Sequence, residues 1–182
     1  MKSVFLALAA ACFPVTAQAE TAQFEQTAPL NVTYEEGTDF AVLIGSALTD
    51  VTGPLGTVTY LSGFSDDCTL GSGDLTGRIA IYERGTCLFS SVTTYVQDQG
   101  GLGLLIYGSE LNPLPATGTL QPELFGPFTI TALSISRDLG LSLLDTPGAE
   151  VRVALAADVP LPASGLLLMG ALGWMARPRR RA

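Results

Sequence analysis

Apolar segments at both ends of the chain confine any folded core to the residues between them. Met1-Lys2-Ser3 forms a short basic region, followed by the apolar run Val4 to Ala11 and by Ala17-Gln18-Ala19 ahead of Glu20. Small residues in that arrangement are what a signal peptidase reads, so residues 1–19 are expected to be an export signal. As an uncleaved anchor the run is too short to span a bilayer. Cys12 falls inside it, and Phe13 behind it does not suit a lipoprotein site. At the other end, Val159 to Ala176 is eighteen residues without an ionisable side chain, followed by Arg177-Pro178-Arg179-Arg180-Arg181. As a helix that stretch measures about 27 Å, against a hydrocarbon core of roughly 30 Å. Pro160 and Pro162 fall in its first turn, where a missing N–H breaks no helical bond. The arginines would remain cytoplasmic and leave the body of the chain outside the inner membrane.

Composition of the middle narrows its partners. Residues 20–158 hold all seventeen acids and four arginines (Arg78, Arg84, Arg137, Arg152), a net charge of 4 − 17 = −13. So acidic a body lacks the lysines and arginines that nucleic-acid phosphates require, and no nucleic acid is expected as partner. The chain has no histidine, which removes Ser-His-Asp and Cys-His catalysis and histidine-ligated metal sites. With 139 residues between the end segments, neither a peptidase domain nor its metal site is expected here. The reading is a non-enzyme with no cofactor and no resident metal.

The body reads as one mixed domain over residues 20–157, followed by the terminal signal over 158–182. Phe40 to Ile44 and Thr57 to Leu61 are apolar, β-branched runs separated by Gly53-Pro54 and Gly56, the pattern of strands joined by turns. Arg78 to Tyr82 is another strand. Phe89, Val92 and Val96 fall at i, i+3 and i+7 and predict a helix over Phe89 to Gln99, capped by Ser90 or Ser91 and ended by Gly100-Gly101. Leu104 to Tyr107 returns as a buried strand, completing a βαβ unit. Phe128 to Ile135, Arg137 to Leu144 and Glu150 to Ala156 read as strand, short helix and strand. More strands than helices predicts an α+β domain with a curved sheet. After export, Cys68 and Cys87 are an even pair in an oxidising compartment and most simply form a disulfide. A reactive pair lacks the Cys-x-x-Cys spacing, histidine or lysine that would lower a thiol pKa.

Two resemblances add to this. Val159-Pro160-Leu161-Pro162-Ala163, then a short apolar helix and an arginine cluster, resembles the VPLPA variant of the PEP-CTERM sorting signals of Gram-negative bacteria. The resemblance implies retention in the inner membrane and processing by an exosortase-type enzyme near the proline motif. The second resemblance runs from Gly77-Arg78-Ile79-Ala80-Ile81-Tyr82 through Arg84-Gly85-Thr86-Cys87-Leu88-Phe89-Ser90 to Leu104-Leu105-Ile106-Tyr107. This is similar to the core of the protease-associated (PA) domain, and Thr131 to Gly140 is similar to that family's second signature. Val92 stands where the family usually has lysine, Gln99-Gly100-Gly101 replaces Ala-Gly-Ala, and Leu139-Gly140-Leu141 blurs a glycine-x-x-leucine. The resemblance covers roughly residues 40–156. It implies a PA-like curved sheet or open barrel with one or two flanking helices, to which the tail adds a C-terminal transmembrane helix. It also implies a non-catalytic module that contacts a substrate, partner or neighbouring domain.

Arg84, Gly85, Thr86 and Ser90 are therefore the candidate binding residues. Backbone N–H groups at the helix start can hold an anion or peptide carboxylate; alternatively Gly85 serves a tight turn and Arg84 pairs with a nearby acid. Asp66, Asp67 and Asp74 offer oxygens to calcium without a twelve-residue loop pattern, or are simply acidic turns. The loop Glu110 to Gly126 is long, and Leu111, Leu114, Leu124 and Phe125 either line an apolar patch or pack back on the sheet. Ser90 and Ser91 are the only nucleophile candidates, with no lysine in the exported chain to act as base. These residues predict an exported, membrane-tethered module at the bacterial envelope that meets signal peptidase, an exosortase-type enzyme and a protein or polysaccharide partner. The alternative is a structural exopolysaccharide-matrix or surface-layer component released by C-terminal cleavage.

Overall fold

The computed structural model describes residues 22–155. The expected export signal, the motif Val159 to Ala163 and the transmembrane segment lie outside them. Among the described residues, no helix is long and apolar enough to cross a membrane.

The centre of the sheet is four parallel strands. β4 (Val51–Ser62) pairs β6 (Ile79–Glu83), which pairs β7 (Gly103–Tyr107), which pairs β8 (Thr131–Ile135). Every residue of β7 and β8, and all of β6 except Glu83, is buried. Such near-continuous apolar runs are what strands covered on both faces require. Successive side chains divide between two cores with the period of two. Ala80, Tyr82, Leu104, Ile106 and Ala132 enter one core with Val92 and Val96 of helix α1 (Phe89–Asp98). Ile79, Ile81, Leu105, Tyr107, Leu133 and Ile135 enter the other. Fully burying one Ile or Leu side chain contributes about 1.5–3 kcal/mol, so the two cores hold the domain together from opposite faces.

Antiparallel strands wrap this centre. β3 (Phe40–Val42) pairs β8, while β9 (Glu150–Leu155) pairs β4, β1 (Ala22–Ala28) pairs β9, and β2 (Val32–Tyr34) pairs β1. β5 (Thr69–Ser72) lies against β4. The sheet curls, because Phe24, Val151 and Val153 from β1 and β9 share the second core with Ile79 and Ile81. Helix α3 (Arg137–Leu144) closes that core with Leu139 and Leu143, and the short α2 (Pro122–Phe125) lies in the long loop before β8. The α+β architecture and the βαβ unit are as predicted from sequence.

Three local readings are corrected. Gly53, Pro54 and Gly56 are not turns; they lie inside the twelve-residue β4. Pro54 occupies the last position of the β9 ladder and the β6 ladder begins at Leu55, so its missing N–H falls where one partner hands over to the other. At Gly56 a Cβ would come within 2.9 Å of a Leu75 methyl, so a larger residue there would have to displace the Leu75 side chain. Helix α1 is not capped by serine: Leu88 is its N-cap, with no side-chain bond. Its end is as expected, with Gly100 at φ +77° and bonds from Gly100 N–H to Gln97 and Gly101 N–H to Val96. β1 and β2, a stretch to which the sequence reading assigned no strand, also belong to the sheet.

Candidate interaction groove

The carboxyl ends of β4 and β6 part company, and the space between them is the most defined concavity of this end of the molecule. The β4–β6 ladder stops at Val58 opposite Tyr82. Beyond it, the Arg84 N–H bonds the Tyr107 carbonyl at 2.8 Å, which draws the chain toward β7. β4 continues on the other side, paired with β5 as far as Ser62 opposite Thr69. The far end is closed by the Gly63 to Cys68 loop. There Ser65 N–H bonds Thr86, Leu88 N–H bonds Ser65, and a Cys68–Cys87 disulfide joins Cα atoms 5.7 Å apart. The cysteine pair is thus bonded as the sequence predicts, and it ties this loop to the start of α1.

The resulting groove has a volume of about 450 Å³. Thr57 to Tyr60 form one wall, and Glu83, Arg84, Gly85 and Thr86 the other, with Tyr82 and Tyr107 below. On the far side of Arg84 and Gly85 lies a smaller depression of about 220 Å³ bordered by Cys87, Phe89, Ser90, Thr119 and Gln121. Arg84 and Gly85 therefore form a ridge between two hollows, with Thr86 on the groove side and Ser90 behind it. The Arg84 guanidinium rests 5.6 Å from the Phe89 ring centroid, a cation–π arrangement. Its neighbour Glu83 pairs instead with Arg137 at 2.7 Å, and Arg137 also reaches Glu110 and the Gly108 carbonyl. That pairing raises the Arg137 pKa, the Glu83 hydrogen bond contributing most.

Ser90 is 2% exposed, and its Oγ accepts the Gln121 N–H at 2.9 Å. It thus braces the long loop against α1. Ser91 Oγ is buried without a hydrogen-bond partner among the described residues. Tyr82 Oη is likewise buried and unpartnered. It lies beneath Gly85, where a Cβ would stand 3.3 Å away. Burial, followed by Tyr60 and Glu83, pushes the Tyr82 pKa above its ordinary value near 10. Burial does the same at Tyr107, reinforced by Glu83 and opposed by Arg137.

The other candidates separate. Asp74 accepts the Thr76 N–H at 2.9 Å and serves a turn. Among the described residues no three His, Cys, Asp or Glu side chains converge on a metal position. Of the four apolar residues named in the long loop only Phe125 packs on the core, beside the buried Leu120; Leu111, Leu114 and Leu124 are 91%, 71% and 72% exposed. Sequence reasoning named the ridge but missed the opposite wall, Thr57 to Tyr60. The cue available was the unbroken β-branched run there.

A central parallel sheet between two helices, wrapped by antiparallel strands and carrying a groove at its carboxyl end, defines a small α+β domain with a nearly closed, curved sheet. The chain belongs to the PA domain family, whose match takes in residues 51–143, just over half its length. No curated protein matches it. Among solved structures it is similar in fold to an aminopeptidase from Aneurinibacillus sp. strain AM-1 (18% identity, TM-score 0.53, 76% of this chain and 31% of that one). It is equally similar to BSAP, a zinc aminopeptidase from Bacillus subtilis (18%, 0.53, 76% and 30%). A third is the psychrophilic subtilisin-like protease Apa1 from the Antarctic psychrotroph Pseudoalteromonas sp. AS-11 (16%, 0.50, 75% and 33%). The matches span about a third of the length of those proteins. A PA domain by itself is not catalytic.

Proposed function

We propose that this chain is an exported, non-catalytic interaction module, tethered by its C-terminal segment to the inner membrane and presenting the β4–β6 groove to a partner at the bacterial envelope. The groove carries this reading: it is a preformed concavity with one cationic ridge residue, Arg84, and its one carboxylate, Glu83, is held in an ion pair with Arg137. Arg84, Gly85 and Thr86 are its contact residues, with Ser90 holding the loop behind them.

The strand directions support the tethered arrangement. β9 runs antiparallel to β4, and Val153 pairs with Val51, nine residues before Tyr60. At about 3.3 Å per residue the tail leaves roughly 30 Å from the groove, which faces the groove away from a membrane holding residues 159–176. The proline motif begins four residues after Leu155, within reach of an exosortase-type enzyme at the membrane surface. Cleavage there would convert the tethered module into the released matrix component of the alternative reading.

The test is direct. Full-length protein is immobilised and exposed to separated protein and polysaccharide fractions of the cell envelope, with Thr86→Trp as the blocked-groove control. Retention by wild type and loss in the variant supports the module; no retention of either fraction refutes it. The intact mass of protein from membrane and from medium distinguishes a tethered chain starting at Glu20 from one trimmed near Pro162.

A further inference from the structure

Val58 belongs to two ladders, facing Tyr82 of β6 and Ser72 of β5, so those strands flank opposite edges of β4. Past Val58, residues 59–62 keep β5 on one edge while β6 turns away. No loop backbone replaces it: among the described residues, no turn or loop backbone hydrogen bond is made to residues 59–62, and the β6 ladder ends at Val58. Alternate residues of a strand turn their N–H and C=O groups toward each edge. The groove wall is thus a short length of open sheet edge, recessed between β4 and the Arg84 ridge. Edges this accessible are usually covered or blunted, since they template pairing with another chain.

We propose, building on the interaction reading above, that the groove takes an extended polypeptide segment that adds as a strand to the free edge of β4. Four edge residues offer about 13 Å of strand at 3.3 Å per residue, enough to register a segment of about four residues. Polypeptide fits better than polysaccharide because the wall offers backbone donors and acceptors at strand spacing. The apolar side chains at this end, Tyr60, Leu61 and Phe64, are 47%, 61% and 70% exposed and stand ready to receive alternate apolar side chains. Charge selects further. Glu83 in the wall is already paired with Arg137, but Asp66 and Asp67 lie in the closing loop of a body of net −13, so the segment is neutral or basic except where it meets Arg84. The tail leaves at the other end of β4, so a membrane held by that tail does not cover the groove.

The test uses full-length protein in detergent micelles and phage-displayed random dodecapeptides. Enriched peptides are synthesised and scanned by backbone N-methylation, which deletes one donor at a time. Strand addition predicts a loss of about tenfold at every second residue and none between them, because only alternate amides face β4. It also predicts loss of binding in Thr86→Trp, whose side chain fills the groove. A flat N-methylation profile with binding intact overturns strand addition but leaves the interaction module standing. So does the absence of any enriched peptide when an envelope polysaccharide is retained. Failure of every peptide and every envelope fraction to bind overturns both.

Discussion

Opening the Cys68–Cys87 bond releases a constraint on the unfolded chain, with a sequence separation of 19. In the chain-entropy account, closing a loop of this size stabilises by about 3 kcal/mol. Reduction, unlike substitution, leaves both sulfurs in place, so Cys87, 6% exposed within the first core, leaves no cavity behind. A folded unit of residues 22–155 should have an unfolding entropy of roughly 0.28 kcal/mol/K, from about 2.1 cal/mol/K per residue. Thermal unfolding followed by circular dichroism should therefore shift down by about 10 °C on full reduction, verified by a 2 Da mass gain. The Ser65 to Thr86 contact should loosen at the same time, exposing the Ser65 and Leu88 amides to exchange. A shift below about 3 °C with the bond fully open would refute the argument that the closure acts on the unfolded chain.

Other perturbations separate roles that sequence alone confounds. Tyr82→Phe removes a buried hydroxyl with no partner, so its stability should change by less than about 1 kcal/mol or rise; Ile81→Ala in the same strand should cost about 2–5 kcal/mol in urea unfolding. The folded-state pKa values of Tyr34, Tyr82 and Tyr107 are raised, by burial above all. Above pH 10 the unfolded chain therefore loses tyrosine protons first, and stability should fall as pH rises through the folded values, less steeply in Tyr82→Phe. A stability flat from pH 9 to 11.5 would contradict this. Ser136 accepts the Leu139 N–H as the cap of α3, and Ser136→Ala should cost about 1 kcal/mol; Ser91→Ala, which removes no bond, should be near neutral by the same denaturant midpoint. Arg137→Ala breaks contacts to Glu83, Gly108 and Glu110, and hydrogen exchange at residues 108–112 should quicken while that of β7 does not.

The elements legible in the sequence were those whose evidence is local. Ile79 to Tyr82 and Leu104 to Tyr107 are uniformly apolar because both faces are covered. Phe89, Val92 and Val96 mark one helix face, and Gly100 marks its end. The cysteine pair needed only its number and compartment. What failed was local evidence overruled at a distance. Gly53, Pro54 and Gly56 carry turn chemistry, yet they extend a strand because β9 pairs with Gly53 and Pro54 and β6 with Gly56. β1 and β2 were missed because Gln26 sits at a buried position, accepting the Tyr34 hydroxyl and donating to the Ala28 carbonyl. A polar residue in an inward place breaks the alternation that a strand would show.

Likewise, the sequence by itself determined the end of α1 at Gly100 and the Cys68–Cys87 pair, since each depends on neighbours within about twenty residues. Only the tertiary structure decided that Thr57 to Tyr60 face that ridge across a groove. That wall exists because β6 parts from β4 after Tyr82 while staying paired with β7 through Glu83. Hydrogen bonds between strands distant in sequence set where that parting falls, and no local pattern of side chains encodes it.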